Sequence, residues 1–96
     1  MNLYTEKTTD GEDIIIPKIE GKQIQIYGIR ITATENVANT ATLKNEAETI
    51  DKYVFTATGQ VEGFLTENRP GYVVNELRIE CSTSSTLAIA INYEQF

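Results

Sequence analysis

Residues 22–34 read Lys-Gln-Ile-Gln-Ile-Tyr-Gly-Ile-Arg-Ile-Thr-Ala-Thr, an alternation of apolar and polar side chains that only an extended strand can use. Ile24 and Ile26 alternate with Gln23 and Gln25, and Ile29, Ile31 and Ala33 alternate with Arg30, Thr32 and Thr34. From Ile26 to Ile29 the step is three residues, not two. One face can hold all five apolar positions only if an extra residue is accommodated between them. Gly28 therefore predicts a β-bulge at Tyr27-Gly28.

The remaining text supports the same class. Thirteen Thr and twelve Ile make a chain rich in side chains branched at Cβ, which fit a pleated surface better than a helix. Ile14, Ile15 and Ile16 form an apolar run closed by Pro17, which cannot donate to a ladder. Residues 40–44 and 48–57 read as strands, and 60–65 as a weaker one interrupted by Gly63. Asn68-Arg-Pro-Gly71 has turn chemistry, because Pro presets φ and Gly accepts positive φ. Leu77, Ile79 and Cys81 alternate with Arg78 and Glu80, and Leu87, Ile89, Ile91 and Tyr93 alternate with Ala88, Ala90 and Asn92. The Ser82–Ser85 turn joins these two runs into a hairpin. Seven or eight strands with a turn every eight to twelve residues predict an all-β fold, a single small jelly-roll-like β-sandwich.

Two regions are expected. After Met1, residues 1–12 hold only Leu3 and Tyr4 as large apolar side chains, which predicts an extended N-terminal arm that either stays mobile or lies against a partner. Residues 13–96 form the sandwich. At 96 residues such a core is small, and self-association is a common remedy.

Function classes fall away residue type by residue type. Without His and with one Cys, neither a His-based catalytic apparatus, a zinc cluster nor a disulfide framework can be assembled within the chain. Cys81 stands in phase with Leu77 and Ile79 and is expected to be a small buried residue. The carboxylates of Asp10-Gly11-Glu12-Asp13 lack the spaced ligands of a calcium loop and are read as a solvated turn. No metal, no cofactor and no catalytic residue is expected. A formal charge of −6 without a basic run argues against nucleic acid. No apolar stretch approaches the roughly 20 residues of a spanning helix, and no export signal is read, so membrane partners are not expected either.

The stretch Gly21-Lys-Gln-Ile-Gln-Ile-Tyr-Gly-Ile-Arg-Ile-Thr-Ala, followed by Thr40-Ala-Thr-Leu-Lys-Asn45, resembles the opening of small tailed-phage virion proteins. The closing hairpin, Asn75-Glu-Leu-Arg-Ile-Glu-Cys running to Ile91-Asn-Tyr-Glu94, is similar to theirs as well. That resemblance implies a jelly-roll subunit of the capsid decoration or head-fibre type, without catalytic residues. It also implies a homotrimer on the virion, assembled in the bacterial cytoplasm and bound to a major capsid protein or a fibre protein. Leu3, Tyr4, Ile14, Ile15 and Ile16 are the expected anchoring residues. The alternative from another functional class is a small carbohydrate-binding module that uses Tyr27, Phe64 or Tyr72 as exposed stacking platforms.

Overall fold

The computed structural model describes residues 1–65 and 71–96, of which 64 and 65 by backbone alone. Within them lie β1 (Asn2–Lys7), β2 (Gly11–Ile16), β3 (Ile24–Ala33), β4 (Asn39–Asn45) and β5 (Glu48–Phe55). After these come β6 (Val61–Leu65), β7 (Tyr72–Val74), β8 (Leu77–Cys81) and β9 (Leu87–Gln95). The first sheet runs β1-β9-β3-β6, with β7 on the same side of β3 as β6; the second runs β2-β8-β4-β5.

The pairings trace one long antiparallel ribbon. Its tip is β4 on β5, followed by β3 on β6 and β7, then β2 on β8, and last β1 on β9. Rolled up, the ribbon delivers its strands to two facing sheets, the arrangement of a jelly roll in which β6 and β7 share one strand position. The small jelly-roll sandwich expected from the alternation is the fold observed.

Each sheet turns its branched apolar side chains inward. Ile24, Ile26, Ile29, Ile31, Leu87, Ile89 and Ile91 from the first sheet meet Leu43, Phe55, Leu77, Ile79 and Cys81 from the second, all almost completely buried. The bulge sits where the parity argument put it. In the pairing of β3 with β9, Ile26 faces Tyr93 and Gly28 faces Asn92, so Tyr27 is the extra residue. Both flanking isoleucines thereby reach the core, at 1% and 2% exposure.

The N-terminal arm needs correction. Residues 2–7 pair with β9 along their whole length, and the expected boundary between residues 12 and 13 falls inside β2. An edge strand needs only one sheltered face, so it can be mostly polar and still belong to the sandwich. In β1 that face is Leu3, Thr5 and Lys7, and Leu3 packs against the core. The Lys7 side chain is fully covered, with its Nζ donating to Asp13 Oδ2 at 2.7 Å across the gap between the two sheets.

The Ser82–Ser85 turn is held by its own hydroxyls. Ser82 Oγ accepts from Thr40 N at 2.9 Å, and Ser85 Oγ accepts from Asn39 Nδ2 at 2.8 Å within the buried end of the sandwich. The turn expected at 68–71 lies outside the described residues except for Gly71.

Candidate functional site

The two outer faces of the sandwich differ in chemistry. On the second sheet, the cross-strand register sets Glu12 of β2 beside Glu80 of β8, with Arg78 and Lys44 as neighbours. Lys44 Nζ lies 2.9 Å from Glu12 and 3.8 Å from Glu80, while Arg78 lies 2.6 Å from Glu12 and also bonds Glu76. The hydrogen bonds from Lys44 and Arg78 hold the Glu12 carboxyl below its ordinary pKa and raise theirs in return. Glu12 is thus the centre of an ion-pair network on that face, which also exposes Ile14 and Val54.

The outer face of the first sheet is built from small residues. Three rows cross it by register. Asn2, Asn92 and Gly28 form one row, Tyr4, Ala90, Arg30 and Gly63 the next, and Glu6, Ala88, Thr32 and Val61 the third. Tyr4 and Arg30 stand on either side of Ala90, two strand spacings or about 10 Å apart. The low ground between them forms two open grooves of ≈480 and ≈390 Å³. Tyr4 is 72% exposed, and Val61 and Val73 on the same face are about half exposed. Among the described residues Arg30 forms no ion pair, so this face keeps an unpaired cation beside Ala90, with Glu6 in the adjacent row.

The five expected anchoring residues are not brought together. Ile16 is a core residue at 2% exposure, and Leu3 and Ile15 pack against the core. Tyr4 and Ile14 are exposed, but Tyr4 lies on the outer face of the first sheet and Ile14, opposite Arg78, on that of the second. The three-isoleucine run is not one surface, because strand alternation turns Ile14 outward while the bulge between Ile14 and Ile16 lets Ile15 and Ile16 both face the core.

The expected aromatic platforms are likewise not exposed rings on one surface. The Tyr27 hydroxyl donates to Glu94 Oε2 at 2.7 Å, a bond that raises the phenol pKa, and the ring is half-buried. Tyr72 is also half-buried, and its hydroxyl donates to Asp51 Oδ2 at 3.1 Å, tying β7 to the opposite sheet. The side chain of Phe64 lies outside what is described. The carboxylates of Glu12 and Asp13 are engaged by Lys44, Arg78 and Lys7. Burial pushes the Cys81 thiol up, which makes it a poor nucleophile.

The alternation in the sequence turns Thr32, Ala88 and Ala90 outward. It does not reveal that Tyr4, Arg30 and Gly63 share a row with Ala90, because that depends on cross-strand register. The alternation of Arg30 with Ile29 and Ile31 was the only available signal.

No protein-family model and no curated protein matches the sequence. Among solved structures the chain is similar to one from the endospore appendages of Bacillus, a family of disulfide-linked pili, at 14% identity and TM-score 0.62 over 100% of this chain and 84% of that one. Weaker likenesses are to the sugar-binding C-terminal domain of EclA, at 8% identity and TM-score 0.49 over 100% of this chain and 79% of that one. A further one is to the virus-like particle of extra small virus from the giant freshwater prawn Macrobrachium rosenbergii. Its identity is 10% and its TM-score 0.46, over 96% of this chain and 78% of that one. At such identities the similarity concerns the fold: the chain is a jelly-roll sandwich of the kind found in the Bacillus appendage chain.

Proposed function

We propose that the chain is a structural, non-catalytic subunit of an assembled particle. In the form implied by the sequence resemblance, it is a phage virion protein of the capsid decoration or head-fibre type that associates with copies of itself. The observation that supports this reading is the contrast between the two outer faces. The second sheet gathers its charges around Glu12 and also exposes Ile14 and Val54, whereas the first presents Tyr4, Val61 and Val73 around a grooved floor of Ala88 and Ala90. A grooved face of small and apolar residues is the kind of surface that a contact between subunits uses.

Linkage between subunits is non-covalent in this reading. A chain of disulfides needs two accessible thiols per subunit, and this one has a single buried cysteine. Of the platforms of the carbohydrate-binding alternative, Tyr27 and Tyr72 are half-buried and bonded to Glu94 and Asp51, and the side chain of Phe64 lies outside the described residues.

Quantitative mass spectrometry of gradient-purified particles from the source culture tests the virion role. Recovery of the chain at a fixed copy number per particle supports it. Exclusive recovery in the particle-free fraction overturns it.

A further inference from the structure

The sandwich has four sheet edges, and three of them are kinked or divided. β2 carries a bulge between Ile14 and Ile16 and ends at Pro17. β5 accommodates an extra residue at Ile50, opposite the step from Leu43 to Lys44. The far edge of the first sheet is split between β6 and β7, and β6 contains Gly63 at φ 145°. Such irregularities are the usual protection against strand addition. β1 has none of them: its register against β9 is unbroken from Asn2 to Lys7, without Pro or Gly.

The hydrogen-bonding groups that β1 offers follow from one bond. Tyr93 N donates to Met1 O at 2.9 Å, which makes Met1 and Tyr93 a hydrogen-bonded pair. Such pairs alternate along an antiparallel ladder, so Leu3, Thr5 and Lys7 bond to β9. The N–H and C=O groups of Asn2, Tyr4 and Glu6 then point away from the sheet. All three residues are exposed, and no described group pairs with those amides and carbonyls.

We propose that this edge pairs with β1 of a second copy, antiparallel about a two-fold axis through Tyr4. The inference rests on the reading of the chain as an assembly subunit and names its first contact. The axis follows from parity. Residues opposite each other across an antiparallel pair lie on the same face, and the outward amides belong to the even-numbered residues. Centring on Tyr4 sets Tyr4 against Tyr4 of the second copy and Asn2 against Glu6, which uses every outward group in about six main-chain hydrogen bonds. Centring on Thr5 would use only Tyr4 and Glu6 and would bring the Lys7 positions against Leu3.

Side chains agree with that register. The Glu6 carboxylate meets the Asn2 amide, a donor, rather than another carboxylate. The two Tyr4 rings shelter each other on the outer face, where each alone is 72% exposed. Lys7, an inward charge of the type that discourages edge pairing, lies beyond the last bonded pair and is already matched by Asp13. The product is one continuous sheet through both copies, its grooves side by side. An interface this small gives a concentration-dependent dimer, which suits a subunit that assembles where many copies gather. It predicts a two-fold unit in place of the trimer implied by the resemblance.

Sedimentation velocity of the chain, tagged after Phe96, tests the proposal together with two variants. Glu6→Pro removes an outward N–H and leaves the β9 ladder intact; Tyr4→Lys places two cations together on the axis. Expected is a wild-type dimer of twice the 10.7 kDa chain mass, with both folded variants shifted at least tenfold toward monomer at equal concentration. In the wild type, hydrogen exchange at Asn2, Tyr4 and Glu6 should slow as concentration rises. A trimer, a dimer indifferent to the variant that folds, or a wild type still monomeric at about 1 mM overturns the pairing. Any of these leaves the particle assignment to be decided by the mass spectrometry of virions.

Discussion

Gly63 on β6 lies so close under Ile29 on β3 that a Cβ placed on it would stand 1.9 Å from the Ile29 carbonyl oxygen and 3.2 Å from the Arg30 Cα. The obstacle is backbone in the middle of a five-stranded sheet, which has little room to retreat. The φ of 145° at Gly63 adds a conformational penalty for any residue with a side chain.

Gly63→Ala should therefore destabilise the fold by about 3 kcal/mol or more, combining strain and overpacking. Urea unfolding followed by circular dichroism measures this. Gly59→Ala is the control: its φ is 79°, but nothing lies within 4 Å of the added methyl, and a loss of about 1 kcal/mol is expected. Equal midpoints for the two variants would show that β6 moves off β3 without resistance.

The bulge makes an unusual prediction about a deletion. Tyr27 is the extra residue between Ile26, opposite Tyr93, and Gly28, opposite Asn92. Without Tyr27 the ladder becomes regular, and Ile26, Ile29 and Ile31 keep their inward facing. The protein should fold at a cost of about 1–2 kcal/mol, chiefly from loss of the Tyr27–Glu94 bond and local repacking. Deleting Thr32 from the same strand removes a residue where no extra one exists, shifts Ala33 out of the core and should leave no cooperative transition in thermal unfolding.

Removal of residues 1–12 separates the observed fold from the expected arm. The truncation deletes β1, uncovers the flank of β9 from Leu87 to Asn92 and strips Lys7 from beside Asp13. A mobile arm could be lost without consequence. A strand that supplies Leu3 to the core cannot, and the truncated chain should show no sigmoidal urea transition. Retention of the full-length midpoint would restore the arm.

What could be read from the sequence depended on whether local pattern or long-range register decided the matter. The alternation in residues 22–34 and 87–93 is a local signal, and it located the core faces, the hairpin and the bulge. β1 had no such signal, because its most deeply sheltered side chain is Lys7, whose charge is matched by Asp13 of the other sheet. The Ile14–Ile16 run looked like one sticky segment, yet alternation puts Ile14 on the surface and a bulge turns both Ile15 and Ile16 to the core. The row of Tyr4, Ala90, Arg30 and Gly63 draws on residues up to 86 positions apart, and only the cross-strand pairings bring it into being.

Acid should expose the ion pairs that stitch the sheets. The hydrogen bond from Lys7 holds the Asp13 carboxyl below its ordinary range, and those from Lys44 and Arg78 do the same for Glu12. In the unfolded chain both groups titrate near ordinary carboxylate values, about 4. A depressed folded pKa contributes stability that is present above the unfolded value and drains away as pH falls through the folded one. The chain has no His, so no side chain of ordinary pKa titrates between pH 7 and about 5. Thermal midpoints should stay level over that interval and drop steeply below pH ~4. Asp13→Asn should lower the midpoint at pH 7, since it leaves the covered Lys7 ammonium without its counter-charge, and should flatten the acid limb. Lys7→Met, which removes the buried charge and keeps the volume, should cost far less at pH 7 and flatten the same limb. An Asp13→Asn protein with the wild-type midpoint at pH 7 and the wild-type acid slope would show that this cross-sheet pair contributes nothing to holding β1 in place.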